Sequence, residues 1–122
     1  MNQILKQLNK VRVPESELEI LSHSEGGYMK YGYKNQPFTG YLVMDYHPNG
    51  YVMYEEEFKE GEHLGWDNLY YENGQLERET LMVGATTLYY LTYDEEGNAT
   101  NEKWLQVPEE MYDKMVIDYN LD

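Results

Sequence analysis

Tyrosine and glycine recur together along this chain with a nearly constant period. Residues 46–50 read Tyr-His-Pro-Asn-Gly, and the same spacing from Tyr to Gly returns at residues 70–74 and 93–97. The three glycines, Gly50, Gly74 and Gly97, are therefore 24 and then 23 residues apart. A period of this size is typical of arrays in which small supersecondary units stack on one another. Such arrays usually present a long surface to a partner, which favours binding over catalysis.

Each repeated unit is predicted to be a β-hairpin. The first hairpin covers residues 39–58 around Gly50, the second covers 66–82 around Gly74, and the third covers 88–105 around Gly97. Asn-Gly, which ends the first two turn sequences, favours the positive φ that tight hairpin turns require. Gly27 lies 23 residues before Gly50, so a degenerate first unit is predicted at residues 18–35.

Apolar residues align at the same positions of successive units, and side chains alternate between the two faces of a strand. We therefore predict one apolar face that forms the core of an antiparallel meander sheet. Its members lie four residues before the repeated tyrosines or eight residues after the turn glycines, and they are Leu42, Trp66, Tyr89, Phe58, Met82 and Leu105.

Acidic residues align on the predicted opposite face, five residues after each turn glycine, at Glu55, Glu79 and Glu102. This acidic column has two interpretations. It is either a solvated face that prevents sheets from pairing edge to edge, or a surface for a partner. Two tyrosines fall on the same predicted face, and tyrosine is a preferred interface residue. The predicted partner-binding residues are Tyr51, Glu55, Glu57, Glu79, Tyr90 and Glu102.

The two ends of the chain differ from the repeats, and we predict a single domain in which a short helix caps each end. Residues 1–17 are predicted to form an amphipathic helix with Ile4, Leu5, Leu8 and Val11 on one face. Residues 106–122 are predicted to form a second helix that starts after Pro108. Its apolar stripe is interpreted mainly as a cap on the repeats, and alternatively as a partner-binding surface. That stripe contains Met111, Tyr112, Met115, Val116 and Tyr119.

Charge is distributed unevenly along the chain. Residues 1–37 contain five Lys/Arg and four Asp/Glu, whereas residues 38–122 contain four Lys/Arg and nineteen Asp/Glu, which together give a formal net charge of −14. Such a surface repels phosphate backbones and anionic lipids, which argues against direct binding to nucleic acid or membrane. It attracts basic proteins, although high solubility alone also accounts for it. Cysteine is absent, and residues 1–12 are too polar for a signal peptide. A cytoplasmic location is therefore expected.

Chemical motifs are not evident in the sequence. The three histidines, His23, His47 and His63, have no partner at metal-ligand spacing, and His63 is placed in a loop between hairpins. The sequence has no phosphate-binding glycine loop, no nucleophile elbow and no cysteine nucleophile. We therefore predict a protein that is not an enzyme and that needs neither metal nor cofactor.

Several spaced motifs together resemble the variant MORN-repeat family. They are the run Asn-Gln-Pro-Phe-Thr-Gly at residues 35–40, the turn at 46–50, Phe-Lys-Glu-Gly at 58–61, His-Leu-Gly-Trp at 63–66 and Tyr-Tyr-Glu-Asn-Gly-Gln-Leu at 70–76. The resemblance covers about residues 28–100 and implies a sheet of repeated hairpins. The third unit departs from the pattern, since it has Thr87 and Leu88 where a glycine is expected.

Bacterial proteins of this family are typified by antitoxin-like proteins, so the resemblance implies an antitoxin or immunity protein. Together with the acidic charge, it predicts a protein that sequesters a basic toxin or a nucleic-acid-handling enzyme. The alternative is a scaffold or a phage-encoded anti-defence interaction protein. The oligomeric state is left open by the sequence.

Overall fold

Short strands joined by tight turns account for most of the chain. The structure, a computed structural model, describes residues 3, 5–23 and 29–121. One turn of 3-10 helix covers Glu15–Glu17. The strands are β1 (Arg12–Pro14), β2 (Glu19–His23), β3 (Met29–Tyr33), β4 (Gln36–Pro37), β5 (Gly40–Tyr46), β6 (Val52–Lys59), β7 (Glu62–Tyr70), β8 (Leu76–Val83), β9 (Thr86–Thr92) and β10 (Trp104–Leu105), and the one α-helix of the described residues is α1 (Glu109–Asp118).

A seven-stranded sheet in the order β1-β5-β6-β7-β8-β9-β10 forms the centre of the molecule. Strands β5 to β10 pair antiparallel with their sequence neighbours, as the hairpin pattern predicts. Strand β1 instead pairs parallel with β5, so the sheet is mixed and not purely antiparallel. The parallel pairing is possible because residues 15–39 form a long crossover between the two strands.

The predicted turns close the three predicted hairpins. In each turn the glycine N–H donates a hydrogen bond to the carbonyl three residues earlier, and each glycine has a φ between 91° and 94°. Positive φ is inexpensive for glycine alone, which explains its position in every turn. The third hairpin is shorter than the others because β10 has only two residues. The donors and acceptors are Gly50 to His47, Gly74 to Tyr71, and Gly97 to Asp94.

The predicted degenerate unit at residues 18–35 forms a separate structure. Strands β2 and β3 do pair as an antiparallel hairpin, but with β4 they make a second, three-stranded sheet. Gly27, the predicted turn residue, lies outside the described residues. The small sheet is fixed to the β6–β7 turn because Tyr31 N–H donates to the Gly61 carbonyl at 2.9 Å. A Cβ at Gly61 would lie 2.8 Å from the Tyr31 carbonyl oxygen, so only glycine fits this contact.

We call the face of the large sheet that carries Trp66 the inner face. Trp66 is paired across the strands with Leu81, which is paired with Tyr89, and all three side chains are buried. Helix α1 begins at Glu109, as predicted, and covers this face. Tyr112, Met115 and Val116 of the predicted stripe pack against the core. Met111 and Tyr119 are 38% and 42% exposed, so the predicted stripe is wider than the buried one.

The opposite face, which we call the outer face, contains a second core near β5. Leu42 and Phe58 are buried there against Val13 and Phe38. The prediction that Leu42, Phe58 and Trp66 share one face is therefore wrong. The cause is two β-bulges between β5 and β6, one between Val43 and Asp45 and one between Asp45 and Tyr46, because one extra residue in a strand reverses the alternation beyond it.

The predicted N-terminal helix is also wrong. Residues 5–17, which are all described, contain turns, strand β1 and one 3-10 turn, but no α-helix. Leu8 and Val11 are 72% and 55% exposed, and Ile4 lies outside the described residues. No helix among the described residues has the length and apolar character needed to cross a bilayer.

Candidate functional site

The predicted acidic column lies almost entirely inside the protein. Glu55 and Glu79 of this column are 0% and 7% exposed, so the prediction of a solvated acidic face is wrong for both, and Glu57, also predicted to bind a partner, is 2% exposed. Glu55 is directly opposite Asn68, and Asn68 is opposite Glu79, which places them on the inner face with Trp66. Only Glu102 of the column is exposed.

Basic side chains of the N-terminal segment, residues 5–12, neutralise these buried carboxylates. The Arg12 Nε donates to Glu55 Oε1 at 2.7 Å, and the Arg12 Nη2 donates to Glu55 Oε2 at 3.0 Å. This is the bidentate geometry that makes Arg–carboxylate pairs strong. Asn68 and the Tyr70 hydroxyl also donate to Glu55, at 3.0 and 2.8 Å. Burial and the neighbouring Glu55 charge both raise the pKa of Tyr70, which keeps it a donor.

Two lysines of the same segment repeat this arrangement. Lys10 pairs with Glu57 and Lys6 pairs with Glu79. Glu79 also accepts a hydrogen bond from the Tyr93 hydroxyl at 2.6 Å, and the Lys6 ammonium lies 3.9 Å from the centre of the Trp66 ring. The three carboxylates therefore bind the chain's own cations and are not available to a partner in the folded protein.

The remaining predicted partner-binding residues lie in two different places. Tyr51 is half-buried, with its ring beside Gly74 in the next turn. Tyr90 lies on the outer face and is 39% exposed, and Glu102 is exposed just before β10. Tyr90 is paired across the strands with Trp104, which is 67% exposed. Tyr90 and Glu102 are thus brought together with Trp104 at one edge of the sheet.

An open groove of about 410 Å³ runs along the outer face next to this edge. Burial raises the pKa of Tyr54, which lines the groove, and the charges of Asp67 and Glu56 add to this effect. The groove therefore has a polar end near Tyr54 and an aromatic end near Tyr90. Its lining includes Tyr54, Asp67, Arg78, Met82, Thr87 and Tyr90.

A cluster of potential metal ligands lies at the polar end of the groove. Glu56, His63 and Asp67 each offer one ligand atom, and these atoms lie within 4.8 Å of one another. His63 Nε2 is 2.6 Å from Asp67 Oδ1. The Tyr54 hydroxyl is 3.2 Å from Glu56 Oε2 and 3.3 Å from Asp67 Oδ2. We call these three ligand residues the His–carboxylate cluster.

Both kinds of group in the cluster have shifted pKa values. Burial raises the pKa of Glu56, and the charge of Asp67 raises it further. Burial alone lowers the pKa of His63, but the hydrogen bond and charge of Asp67 outweigh it, so the pKa of His63 is raised. The cluster thus combines one imidazole with two carboxylates that repel each other.

A bulge in β7 is the reason these residues meet. His63 lies within β7 and not in a loop, so the predicted loop position is wrong. Residues four apart in a regular strand are about 13 Å apart, but the bulge at Gly65 shortens this separation. The Trp66 N–H donates to Glu57 Oε1 at 3.0 Å, and a Cβ at Gly65 would lie 2.1 Å from the same oxygen. The bulge therefore depends on Gly65 and on the buried Glu57.

Comparison with protein-family models, with curated proteins and with solved structures gives no match. The interpretation of the site therefore depends on its residues and geometry.

Sequence reasoning did not identify Glu56, His63, Asp67 or Trp104 as candidate site residues. Period-two counting places Glu56 on the face opposite to Glu55, and it does not predict that Glu56 lies close to His63. No local signal was available, since Gly65 lies just before the predicted hairpin at 66–82, where a glycine is expected in a loop.

Proposed function

We propose that this protein is a non-catalytic binding module for a basic protein, of the antitoxin or immunity type, and that it binds through the outer face of its sheet. The observation that carries the proposal is the exposed aromatic pair Tyr90 and Trp104 beside the open groove. Exposed Tyr and Trp residues next to a concave surface are typical of interface hot spots. The inner face is not a candidate, because the N-terminal segment and α1 cover it.

We also propose that the chain belongs among variant MORN-repeat proteins. Contacts between successive turns support this proposal. The Asn49 side chain donates to the Glu72 carbonyl at 2.9 Å, and the Asn73 side chain donates to the Glu95 carbonyl at 3.0 Å. The same type of residue thus makes the same contact one unit later, which is the behaviour expected of stacked repeats.

The partner is proposed to be basic because of the charge left at the surface. Three of the nine Lys/Arg pair with three of the 23 Asp/Glu on the inner face, which leaves six and twenty. The remaining difference, 20 − 6, is still 14 negative charges. A field of this size attracts a positively charged protein and raises its rate of association. Toxins and enzymes that bind phosphate groups carry such positive sites.

Affinity purification from the source cells, followed by binding kinetics, tests the proposal. The wild-type chain and a Tyr90→Ala/Trp104→Ala variant serve as parallel baits, with Tyr46→Ala as the matched control. Tyr46 is 46% exposed on β5, far along the sheet from β10. We expect a basic protein that the wild type and the control retain and that the double variant loses, since hot-spot truncation costs about 2 kcal/mol or more.

The dependence of the association rate on salt tests whether the partner is basic, and the double variant tests whether the outer edge is the binding surface. A basic partner should associate more slowly at higher ionic strength. A partner that binds the double variant as tightly as the wild type would show that the outer edge is the wrong surface. A neutral or acidic partner whose association ignores salt would contradict the proposed function, and it would favour the scaffold or anti-defence alternative.

A further inference from the structure

We propose that the His–carboxylate cluster of Glu56, His63 and Asp67 binds a divalent first-row transition cation, with Zn²⁺ as the representative ion. This inference is independent of the proposed partner and goes beyond it. One imidazole nitrogen and two carboxylate oxygens are suitable donors for such ions. Their ligand atoms already lie within 4.8 Å of one another on two adjacent strands.

The charge balance of the buried carboxylates supports the proposal. On the inner face, Glu55, Glu57 and Glu79 each have their own Lys or Arg partner. Within the described part of the chain, neither Glu56 nor Asp67 forms an ion pair with a Lys or Arg, although Arg78 lines the same groove, and Asp67 pairs with His63. Asp67 is nonetheless 8% exposed. The negative charges of Glu56 and Asp67 on the outer face are therefore less fully neutralised than those of the three carboxylates on the inner face.

The strand register makes this imbalance larger. Glu56 and Asp67 are directly opposite each other in the β6–β7 pair. Like charges in this position destabilise a sheet. Glu15, in the 3-10 turn, adds a third negative charge that acts on Glu56. A bound divalent cation would convert this repulsion into two attractive interactions, which no neutral ligand can do.

Neighbouring side chains position the donors in advance. The His63 ring stacks on Phe58, with 5.4 Å between ring centroids and 24° between ring planes. The Tyr54 hydroxyl contacts both carboxylates at 3.2–3.3 Å. Ligand atoms around a tetrahedral zinc ion with bonds of about 2.0–2.1 Å are separated by about 3.3 Å. The three donor atoms lie within 4.8 Å of one another, and zinc binding would replace the hydrogen bond between His63 and Asp67 and draw them to this spacing.

The imidazole selects the class of ion. Calcium and magnesium prefer sites built from oxygen donors alone, whereas imidazole favours zinc and its first-row neighbours. Three protein ligands leave one tetrahedral position open. Because Asp67 and Tyr54 also line the groove, water or a donor atom of a partner in the groove would complete the coordination.

Calorimetric titration of the tag-free protein with zinc chloride, and in parallel with magnesium chloride, tests the proposal. The variants are Glu56→Gln, Asp67→Asn and His63→Gln. The matched control is Glu62→Gln, which removes an exposed carboxylate from the residue next to His63 but outside the cluster. We expect one zinc ion per chain and at least about tenfold weaker binding of magnesium.

Each cluster variant should bind zinc at least about tenfold more weakly, since even outer-shell partners of a metal typically contribute 10–100-fold to affinity. The Glu62→Gln control should bind as the wild type does. In a ¹⁵N spectrum, zinc should shift the imidazole resonances of His63 and leave those of His47 unchanged.

Three results would overturn the proposal. They are the absence of saturable zinc binding to the wild type, equal affinity in the three cluster variants and the wild type, and unshifted His63 resonances in zinc-saturated protein. Equal affinities would mean that the acidic surface binds zinc diffusely. Far-ultraviolet circular dichroism shows whether each variant is folded, and the ¹⁵N spectrum of the wild type needs no variant at all.

Discussion

Glu55 is the clearest case in this protein of a charge that folding moves out of water. Its side chain is fully buried, and four donors surround its two oxygens, from Arg12, Asn68 and Tyr70. A buried carboxylate is tolerated only when it is paired and hydrogen-bonded. Removal of one partner therefore leaves the other uncompensated, and the loss exceeds the net contribution of the pair itself.

Glu55→Gln and Arg12→Met should each lower the free energy of unfolding by about 3 kcal/mol or more, because each leaves one charge unpaired on the inner face. The double variant should lose less than the sum of the two, since no unpaired charge remains. Urea unfolding of the four proteins measures this cycle. Glu102→Gln is the control, because Glu102 is exposed, and it should change stability by less than about 0.5 kcal/mol. Additive single effects would show that the pair is not coupled.

The N-terminal segment, residues 5–12, is the element that neutralises the buried carboxylates of the inner face. Besides the ion pairs of Lys6, Lys10 and Arg12, its Lys6 N–H bonds to the Tyr70 hydroxyl at 3.0 Å, and Gln7 accepts a hydrogen bond from Tyr41 at 2.6 Å. Gln3 precedes this segment. Its side-chain amide donates to the Val52 carbonyl and accepts a hydrogen bond from the Val52 N–H, both at 2.8 Å. A segment without regular structure thus supplies the charges that the sheet lacks.

Deletion of residues 1–11 should destabilise the protein by about 3 kcal/mol or more, because Glu57 and Glu79 lose Lys10 and Lys6. The same deletion in a Glu57→Gln/Glu79→Gln background should cost clearly less, since the remaining side chains are uncharged. Thermal unfolding and amide hydrogen exchange of β6–β8 compare the two deletions. If both cost the same, the segment contributes through packing and not through charge.

At the scale of the whole molecule, tyrosine is the residue type that spans the sheet. Five tyrosines with strongly raised pKa values are distributed over β5, β6, β7 and β9 and the turn that follows β9. Burial is the main cause in each case. It raises the pKa of Tyr89, for example, to about 12. These five are Tyr41, Tyr54, Tyr70, Tyr89 and Tyr93.

Alkaline titration should show that these five tyrosines resist ionisation while the protein is folded. A tyrosine whose pKa is raised by folding contributes stability that is complete below its unfolded pKa of about 10 and is lost as pH rises through the folded value. We therefore expect these five tyrosines to stay protonated at pH 10, the ordinary tyrosine pKa, and to ionise only together with unfolding. Tyrosinate absorbance and circular dichroism, recorded on the same samples, test this. Ionisation of all tyrosines in one step near pH 10, with the fold intact, would contradict the structure.

The sequence by itself determined the mainly β character, the hairpins around Gly50, Gly74 and Gly97, and the helix that begins at Glu109. These features depend on local chemistry. Asn-Gly and Gly at a turn encode a positive φ, and Pro108 followed by acidic residues encodes a helix start. Local preferences of this kind act within a few residues, so they can be read without knowledge of the rest of the chain.

Only the tertiary structure decided which face each residue occupies and which charges meet. The β-bulges between β5 and β6 reverse the alternation of β6 after Val52, so Glu55 shares the inner face with Trp66, although period-two counting separates them. Arg12 reaches Glu55 across 43 residues of sequence, and the bulge that brings His63 to Asp67 is held by Glu57. The sequence does not show which charges will pair, because the energy of a charge pair depends on distance and burial. Both are properties of the folded chain.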